Sequence, residues 1–597
     1  MSLVGKRLSF TATLCAVLAF SSVGLAAPRR VADTVERKLE AHRRQASPSV
    51  GARAATNGIV TRNFEVLGHH DLGMMDTNAD VWVHGDFAYV GTWAFPCTRR
   101  GVKIIDVSDV SNPQLIGTLA ARAGTSAEDM VVRSVSTPFF TGDLMGVGIQ
   151  RCGDDPALDT QEFGLQLWDV TDPSAPVFFT EFGVGHGAGG VHELDLFQRG
   201  DSVYALLAHP FSEWFDPSGH GDFMIVDVTD PSAPVMLSEW GAGENGFSRG
   251  PFWGQGEFGS MFGHSARASA DGMKAYVSYW DLGVLTFDIS DPSNPVLLTR
   301  TEYAPTADGN AHSMTPYEAG GQEFILQNDE DFEPRDPAVI LAKGRRGLAA
   351  ESPGDSPLWL ERRHRIKGRV VMAADQGCDV ADYPVNTPGR IAVVRTPVPF
   401  FDPPGGEEPL CLQQEQEAAA EAAGAKAVVH DFIAENTSPQ WFDFGTVGIP
   451  VLFTDHETAQ AMVAGGRATL RARRPSWGYL RIFDADTGEQ VAKFDRVPNV
   501  HRLPAPEGFW SIHNTEVVGD RSYSSWYTNG VIALDLERLG EGRDPKLVGR
   551  FVPEAAPGQF PSVWGVVIRP SDNIMFASDE GSGLWIIRAT GDAAPDG

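Results

Sequence analysis

Short apolar runs recur along this chain, and each one leads into an aspartate and a proline-containing turn. Four clear copies occupy residues 101–119, 164–176, 222–240 and 283–295. The β-branched and aromatic residues before the turn favour a strand, while Asp and Pro favour the turn itself. Apolar residues resume after the turn, so each copy predicts two strands joined by a tight connection. Weaker copies lie at residues 479–488, 530–536 and 583–588, which makes seven in all.

The spacing of the copies predicts the architecture. The aspartates that end the first four runs are separated by 63, 58 and 61 residues; they are Asp106, Asp169, Asp227 and Asp288. Each interval holds about four short strands, which is one blade of a β-propeller. Seven copies therefore predict a mainly β fold, a seven-bladed β-propeller.

The last blade needs a strand from the N-terminus. No strand signal follows Arg588 in the last copy, whereas residues 63–68 resemble the strand after the turn of the first copy. We expect residues 63–68 to complete the last blade, because a closed ring removes the open sheet edges.

One interval is much longer than the others. Asp288 and Asp484 are 196 residues apart, so subtracting one blade leaves about 135 inserted residues. Strand and helix signals alternate in residues 365–474, which predicts a small α/β domain inserted into the fifth blade. The propeller is then predicted to occupy residues 61–335 and 476–591. The acidic run 328–331, where the insertion starts, is expected to be a solvated turn, with calcium binding as the alternative.

The N-terminus predicts export. Lys6 and Arg7 precede an apolar stretch that ends in small residues near Ala26 and Ala27, which is typical of a signal peptide over residues 1–27. Residues 28–60 are interpreted as a leader or linker. No later stretch of sequence reaches the length of a membrane span, so the expected location is secreted, either extracellular or periplasmic. The net charge of -30 argues against nucleic acid and anionic membranes as partners.

Cysteine content agrees with export. Four cysteines follow the signal peptide, namely Cys97, Cys152, Cys378 and Cys411. An even number in an exported protein indicates disulfides, and the residues alone leave three pairings open.

Four histidines share one register in the predicted propeller. The innermost strand of each blade should line the central channel, and in blades three to six its first residue is a histidine: His192, His264, His312 and His513. The equivalent positions in the other blades hold Ala79, Glu128 and Trp564. Radial symmetry brings the imidazoles towards one axis, where they can bind a divalent transition metal.

Acidic residues follow the same register. Asp80, Asp129 and Glu193 occupy the next position along the innermost strands, where they can accept hydrogen bonds from metal-bound histidines. The alternative is structural: the histidines bond backbone groups at the mouth of the channel. A four-histidine centre would resemble carotenoid-cleaving oxygenases in arrangement, without a match in sequence.

The repeats themselves resemble a known family. Residues 104–107 (Ile-Ile-Asp-Val) and 225–228 (Ile-Val-Asp-Val) are close to the core of LVIVD repeats, the propeller units of secreted and surface bacterial proteins. The resemblance implies a propeller and leaves its activity undefined.

The insertion resembles a protease-associated (PA) domain. The similarity rests on residues 389–395, Cys411 before a helix, residues 422–429 and residues 449–453. It implies an accessory module that binds a substrate or partner and carries no catalysis. Because Cys378 and Cys411 both fall inside this module, it favours their pairing. Cys97 and Cys152 both follow the second strand of neighbouring blades, which favours the other pair.

Two functions remain in competition. The first is binding of a protein, peptide or small ligand outside the cytoplasm. The second is a metal-dependent enzyme, an oxidoreductase by preference, that uses the channel histidines. Neither HExxH nor P-loop, GxGxxG or CxxC patterns occur in the sequence, so no other catalytic site is indicated.

Overall fold

The structure of the protein is a computed structural model. It describes residues 59–73, 77–93, 100–152, 158, 161–185, 189–210, 221–247, 261–302, 310–330, 338–351, 365–397, 410–432, 447–471, 478–498, 508–556 and 559–595. The predicted signal peptide, nearly all of the leader, and Cys97 lie outside these ranges.

Four consecutive four-stranded antiparallel sheets make up the first part of a β-propeller. The strands up to the fourth blade are β1 (Val60–Arg62), β2 (Phe64–His70), β3 (Thr77–His84), β4 (Phe87–Trp93), β5 (Val102–Asp106), β6 (Gln114–Leu119), β7 (Thr125–Ser126), β8 (Met130–Ser136), β9 (Thr141–Gly148), β10 (Gln150–Arg151), β11 (Gly164–Asp169), β12 (Val177–Gly183), β13 (Leu194–Arg199), β14 (Ser202–Ala208), β15 (Phe223–Asp227), β16 (Val235–Trp240), β17 (Ser265–Ala268), β18 (Lys274–Ser278), β19 (Val284–Asp288) and β20 (Val296–Arg300). From the axis outwards, the four blades are β3-β4-β5-β6, β8-β9-β11-β12, β13-β14-β15-β16 and β17-β18-β19-β20.

An inserted domain interrupts the fifth blade between its second and third strands. The remaining elements are β21 (Ala311–Ala319), β22 (Gln322–Asp329), β23 (Ala338–Ala342), β24 (Arg345–Glu351), β25 (Arg365–Met372), β26 (Ile391–Thr396), α1 (Gln413–Ala422), β27 (Ala427–Phe432), β28 (Val451–Asp455), α2 (His456–Gly465), β29 (Arg467–Arg471), β30 (Leu480–Asp484), β31 (Gln490–Phe494), β32 (Thr515–Val518), β33 (Arg521–Ser525), β34 (Val531–Asp535), β35 (Lys546–Val552), β36 (Val563–Arg569), β37 (Ile574–Asp579) and β38 (Gly583–Ala589). Blade five is β21-β22-β30-β31, and blade six begins with β32-β33-β34-β35. The structure is therefore a mainly β, seven-bladed propeller, as the repeat spacing predicts.

The N-terminus closes the ring. β2 pairs antiparallel with β38, with Phe64 opposite Ala589 and His70 opposite Leu584, and so supplies the outer strand of blade seven. The predicted closure is confirmed. In addition, β1 pairs with β35 and adds a fifth strand to blade six, which the sequence did not indicate.

Apolar side chains pack between neighbouring blades. Ile105 of blade one, for example, shares a buried cluster with Phe576 and Ile586 of blade seven. Each blade therefore buries its faces against the next, which holds the inner strands at a fixed distance from the axis.

The repeated aspartate is a turn residue. The Asp106 carboxylate accepts a hydrogen bond from Ser108 N at 2.9 Å, and Asp227 accepts one from Thr229 N at 2.8 Å. The side-chain and backbone hydrogen bonds from Ser108 lower the pKa of Asp106. The aspartate in the signature of the repeat thus stabilises the outer turn.

In its described residues, the inserted domain is a closed seven-stranded barrel with two α-helices. Its strand order is β23-β24-β28-β27-β26-β25-β29, and β25 to β28 run parallel to one another. Asp455 caps α2 by accepting a hydrogen bond from Thr458 N. A disulfide joins Cys378 to Cys411 with a Cα–Cα distance of 5.9 Å, which confirms that predicted pair. Cys152 is also disulfide-bonded.

Neither helix of the described chain has the length and apolarity to cross a membrane. The acidic run at the start of the insertion differs from the expectation. Asn328, Asp329 and Glu330 are fully buried, so the prediction of a solvated turn is wrong for these residues. Asn328 and Asp329 end β22, a second strand beside the channel, and Glu330 follows directly; their burial follows from that position.

Candidate metal centre in the channel

The inner strands begin with β-bulges that set the register of the channel residues. In blade three, His192 N donates to Ala208 O at 2.9 Å while Ala208 N donates to Glu193 O at 2.9 Å. Two residues of the inner strand therefore face one residue of the second strand. Such bulges re-aim side chains and are frequent beside functional sites. Similar shifts occur between Ala311 and Ser313 and between Val563 and Gly565.

The four predicted histidines lie side by side. Their rings are all buried, and consecutive ring centroids are separated by 4.2, 4.1 and 4.1 Å in the order His192, His264, His312 and His513. The Nε2 atoms of His192 and His264 are 2.8 Å apart. The register read from the sequence thus brings these side chains together.

Polar partners define the orientation of His192. Its Nδ1 lies 2.8 Å from Gln150 Oε1 and 2.9 Å from Glu128 Oε2. Both partners are acceptors, so Nδ1 donates to them. Nε2 points away from these partners and lies at hydrogen-bond distance from Nε2 of His264.

Two further carboxylates approach the histidines. Glu193 Oε1 is 3.7 Å from His264 Nδ1, and Glu330 Oε2 is 3.6 Å from His312 Nε2. Tyr527 donates a hydrogen bond from its hydroxyl to Glu330. Burial and the Glu330 carboxylate raise the pKa of Tyr527 well above its usual range, so the hydroxyl remains protonated.

Indole rings complete the circle around the axis. Trp564 lies 4.8 Å from His513, Trp93 lies 5.9 Å from Trp564, and Trp93 lies 5.7 Å from His192, centroid to centroid. Six aromatic rings therefore form a closed loop, four of them imidazoles on one side. The indoles make the remaining side apolar.

The other predicted carboxylates have different partners. Asp80 accepts a hydrogen bond from Asn514 Nδ2 at 2.7 Å, and Asp129 accepts one from Leu194 N at 2.8 Å. Within the described chain, neither makes a hydrogen bond or ion pair with a histidine. Both line a small cavity beside the histidines, together with Glu193.

Sequence reasoning assigned no role to Glu128, Glu330 or Trp93 at this site. Glu128 was detectable, because it occupies the first bulge position of blade two, equivalent to His192. Glu330 and Trp93 instead lie at the end of the second strands. Trp280 and Tyr527 occupy the equivalent position in blades four and six. A comparison of this position across the blades would therefore have identified Glu330 and Trp93.

Comparison with known proteins agrees with the repeat and the fold. A family model for the LVIVD repeat matches residues 77–120, 218–240 and 263–302, in blades one, three and four. The chain therefore contains LVIVD repeats in a seven-bladed propeller, an architecture consistent with a binding or interaction role. No curated protein matches this sequence.

Similar solved structures include a zinc aminopeptidase of Bacillus subtilis, at 22% identity and a TM-score of 0.20, over 27% of this chain. This chain spans 36% of the length of that enzyme. U3-55K is 7% identical with a TM-score of 0.40, over 88% of this chain and 98% of its own. The propeller domain of Cps50 (Swd1) from Myceliophteria thermophila is 11% identical with a TM-score of 0.38, over 88% of this chain and 98% of its own. These similarities assign no function.

Proposed function

We propose that the protein is a metal-dependent enzyme that binds a divalent transition-metal ion at the row of buried histidines His192, His264, His312 and His513. The observation that carries the proposal is the close approach of four buried imidazoles, with two Nε2 atoms 2.8 Å apart. Imidazole suits zinc, iron, copper and nickel, whereas calcium and magnesium prefer oxygen.

The distances fit an ion shared by neighbouring histidines and a carboxylate: the possible ligand atoms of His192, Glu193 and His264 lie within 4.8 Å of one another, and so do those of His264, His312 and Glu330. Two nitrogens bound to one metal at about 2.0–2.1 Å and at a right angle to each other would be about 2.9 Å apart. The Nε2 atoms of His192 and His264 meet this requirement, and the next two pairs have equally close rings. Glu128 and Gln150 fix the tautomer of the first ligand.

The ion would supply a Lewis acid and, for iron or copper, a redox centre, which favours an oxidoreductase. The chain's own residues restrict what reaches it. Trp93 and Trp564 lie between His513 and His192 and so occupy the side without histidines. Tyr527, held by Glu330, adds a protonated hydroxyl beside His513.

Metal analysis tests the proposal. Purified wild-type protein should contain about one transition-metal ion per chain by mass spectrometry, because two neighbouring imidazoles together with Glu193 or Glu330 can supply three ligands. His264→Ala and His312→Ala should lose this metal, while Glu128→Gln should weaken its binding by about 10–100-fold through loss of support for His192.

His456→Ala is the matched control, because His456 lies on the inserted domain and its side chain is 53% exposed. It should keep the wild-type metal content. A wild-type protein without metal, whose melting temperature does not change when zinc, iron, copper or nickel is added, would assign the histidines a structural role.

A binding function is the second candidate, and the inserted barrel favours it. We propose that residues 365–474 form a PA domain that binds a protein, peptide or small ligand outside the cytoplasm. The Cys378–Cys411 disulfide supports a location outside the cytoplasm. A metal-free channel would leave this function as the better explanation.

Export has its own test. In a host that secretes the protein, we expect the mature chain to begin near residue 28, since the apolar N-terminal stretch is typical of a cleaved signal peptide. N-terminal sequencing of the exported protein measures this directly. A mature chain that retains residues 1–27 would contradict the proposal.

A further inference from the structure

A cavity lies next to the histidines along the channel. Its volume is about 20 Å³, and its lining includes Asp80, Asp129, Glu193 and Asn514, which occupy the second position of the bulges. Arg267 and Glu516 lie further along the inner strands and complete its polar wall. A space of this size holds one water molecule or one ion.

Three oxygen atoms in this wall are left without a hydrogen bond, namely Asp80 Oδ2, Asn514 Oδ1 and Glu193 Oε1. Asn514 Nδ2 donates to Asp80 Oδ1 at 2.7 Å, which leaves Asp80 Oδ2 and Asn514 Oδ1. Among the contacts of the described residues, neither oxygen has a partner, although the two residues are only 5% and 7% exposed. Buried oxygens in a polar cavity call for a donor or a cation.

The charge balance of the wall favours a cation. Four carboxylates, those of Asp80, Asp129, Glu193 and Glu516, surround one guanidinium, that of Arg267. Burial, and then the neighbouring Glu193 and Asp129 carboxylates, raise the pKa of Asp80 well above its usual range. Burial raises the pKa of Asp129 to about 6. The negative charges therefore destabilise one another, and a bound cation would relieve this.

Access is available from the side away from the histidines. The side chains of Arg267 and Glu516 are each 28% exposed, and their charged groups are 3.9 Å apart. An ion can therefore reach the cavity through this part of the channel without passing the imidazoles.

We propose that this cavity binds one hard cation of the calcium class through Asp80 Oδ2, Asn514 Oδ1 and the Glu193 carboxylate. Oxygen donors without nitrogen or sulfur select calcium-type ions over the transition metals that imidazole prefers. The ligands come from blades six, one and three, so the ion links distant parts of the ring. This site differs from the histidine centre in donor type and adjoins it through Glu193, whose Oε1 is 3.7 Å from His264 Nδ1.

The test uses full-length protein stripped with a chelator. Calcium at a hundred times its Kd should raise the melting temperature by about 2–3 °C, since binding stabilises the folded state. Terbium should give luminescence when tryptophan is excited, because Trp82 lines the cavity, and calcium should displace it. Trp82→Phe should reduce this luminescence and leave the calcium-induced shift.

Asp80→Asn and Asn514→Ala should abolish both responses. Asp80→Asn keeps the size of the side chain and removes a buried charge, so it should melt no lower than the wild type in chelator. Asp109→Asn, an exposed turn aspartate of the same blade, is the control and should respond as the wild type does.

The two metal proposals can be refuted independently of each other. His264→Ala should lose the transition metal and keep the calcium response, whereas Asp80→Asn should keep the transition metal. If calcium does not raise the melting temperature of the wild-type protein and terbium gives no luminescence, the cation site is overturned. The buried oxygens would then be satisfied by water or by protonation of the carboxylates. An Asp80→Asn variant with the full wild-type response would also overturn it.

Discussion

Deletion of residues 61–70 is expected to abolish cooperative folding of the propeller. This segment contains β2, which pairs with β38 over the whole of blade seven and buries Phe64 against Tyr523 of blade six. Without it, blade seven has three strands, β38 becomes an unpaired edge and the interface to blade six is incomplete. Thermal melting followed by circular dichroism should show no cooperative transition for the deletion.

A chain that begins at residue 59 is the matched control, because it retains β1 and β2 and should melt as the longer chain does. Gly68→Val tests the same strand with one substitution. A Cβ at position 68 would lie 1.9 Å from Val110 O, so any larger side chain displaces blade one from blade seven. A deletion that melts with an unchanged curve would refute the role of β2 in closure.

Arg481→Met is expected to lower the free energy of unfolding by about 3–5 kcal/mol, because it leaves a buried carboxylate without its cation. Arg481 in β30 forms an ion pair with Asp329 at the end of β22, and both side chains are almost fully buried. The pair joins the two halves of blade five across the insertion. Urea denaturation monitored by tryptophan fluorescence would measure the loss.

Arg345→Met provides the comparison, since Arg345 pairs with Asp455 and Glu457 at the surface of the inserted barrel and its side chain is 40% exposed. Arg345→Met should lower the free energy of unfolding by no more than about 1 kcal/mol. The double variant Arg481→Met/Asp329→Asn should be more stable than Arg481→Met alone. Burying a neutral amide lowers the free energy of unfolding less than burying an unpaired carboxylate does. Equal effects for Arg481→Met and Arg345→Met would contradict the structural role of the buried pair.

The sequence was informative where the repeat determines position. Equal spacing of the aspartates predicted the blades, and the missing strand after Arg588 predicted closure by the N-terminus. The same register aligned His192 with His264, His312 and His513, because each begins an inner strand. These inferences needed only periodicity, and the structure follows them.

Other features depend on contacts between blades, which periodicity does not reveal. Asp80 was assigned to the histidines by register, but its carboxylate pairs with Asn514 from blade six. Glu330 was read as part of an acidic turn, since the insertion that follows it hid its place at the end of a second strand. The indoles of Trp93 and Trp564 come from different strand positions in neighbouring blades, so no single register brought them together.

The closure of the ring also determines when this protein can fold. Phe64 pairs with Ala589, and these residues are among the first and last of the propeller to be synthesised. At roughly 5–20 residues per second, the ribosome needs about half a minute to two minutes to add the intervening chain. During this time β2 has no partner, and blade seven does not exist. The ring of the nascent chain therefore remains open until translation is nearly complete, which makes the unpaired β2 dependent on protection from aggregation until then.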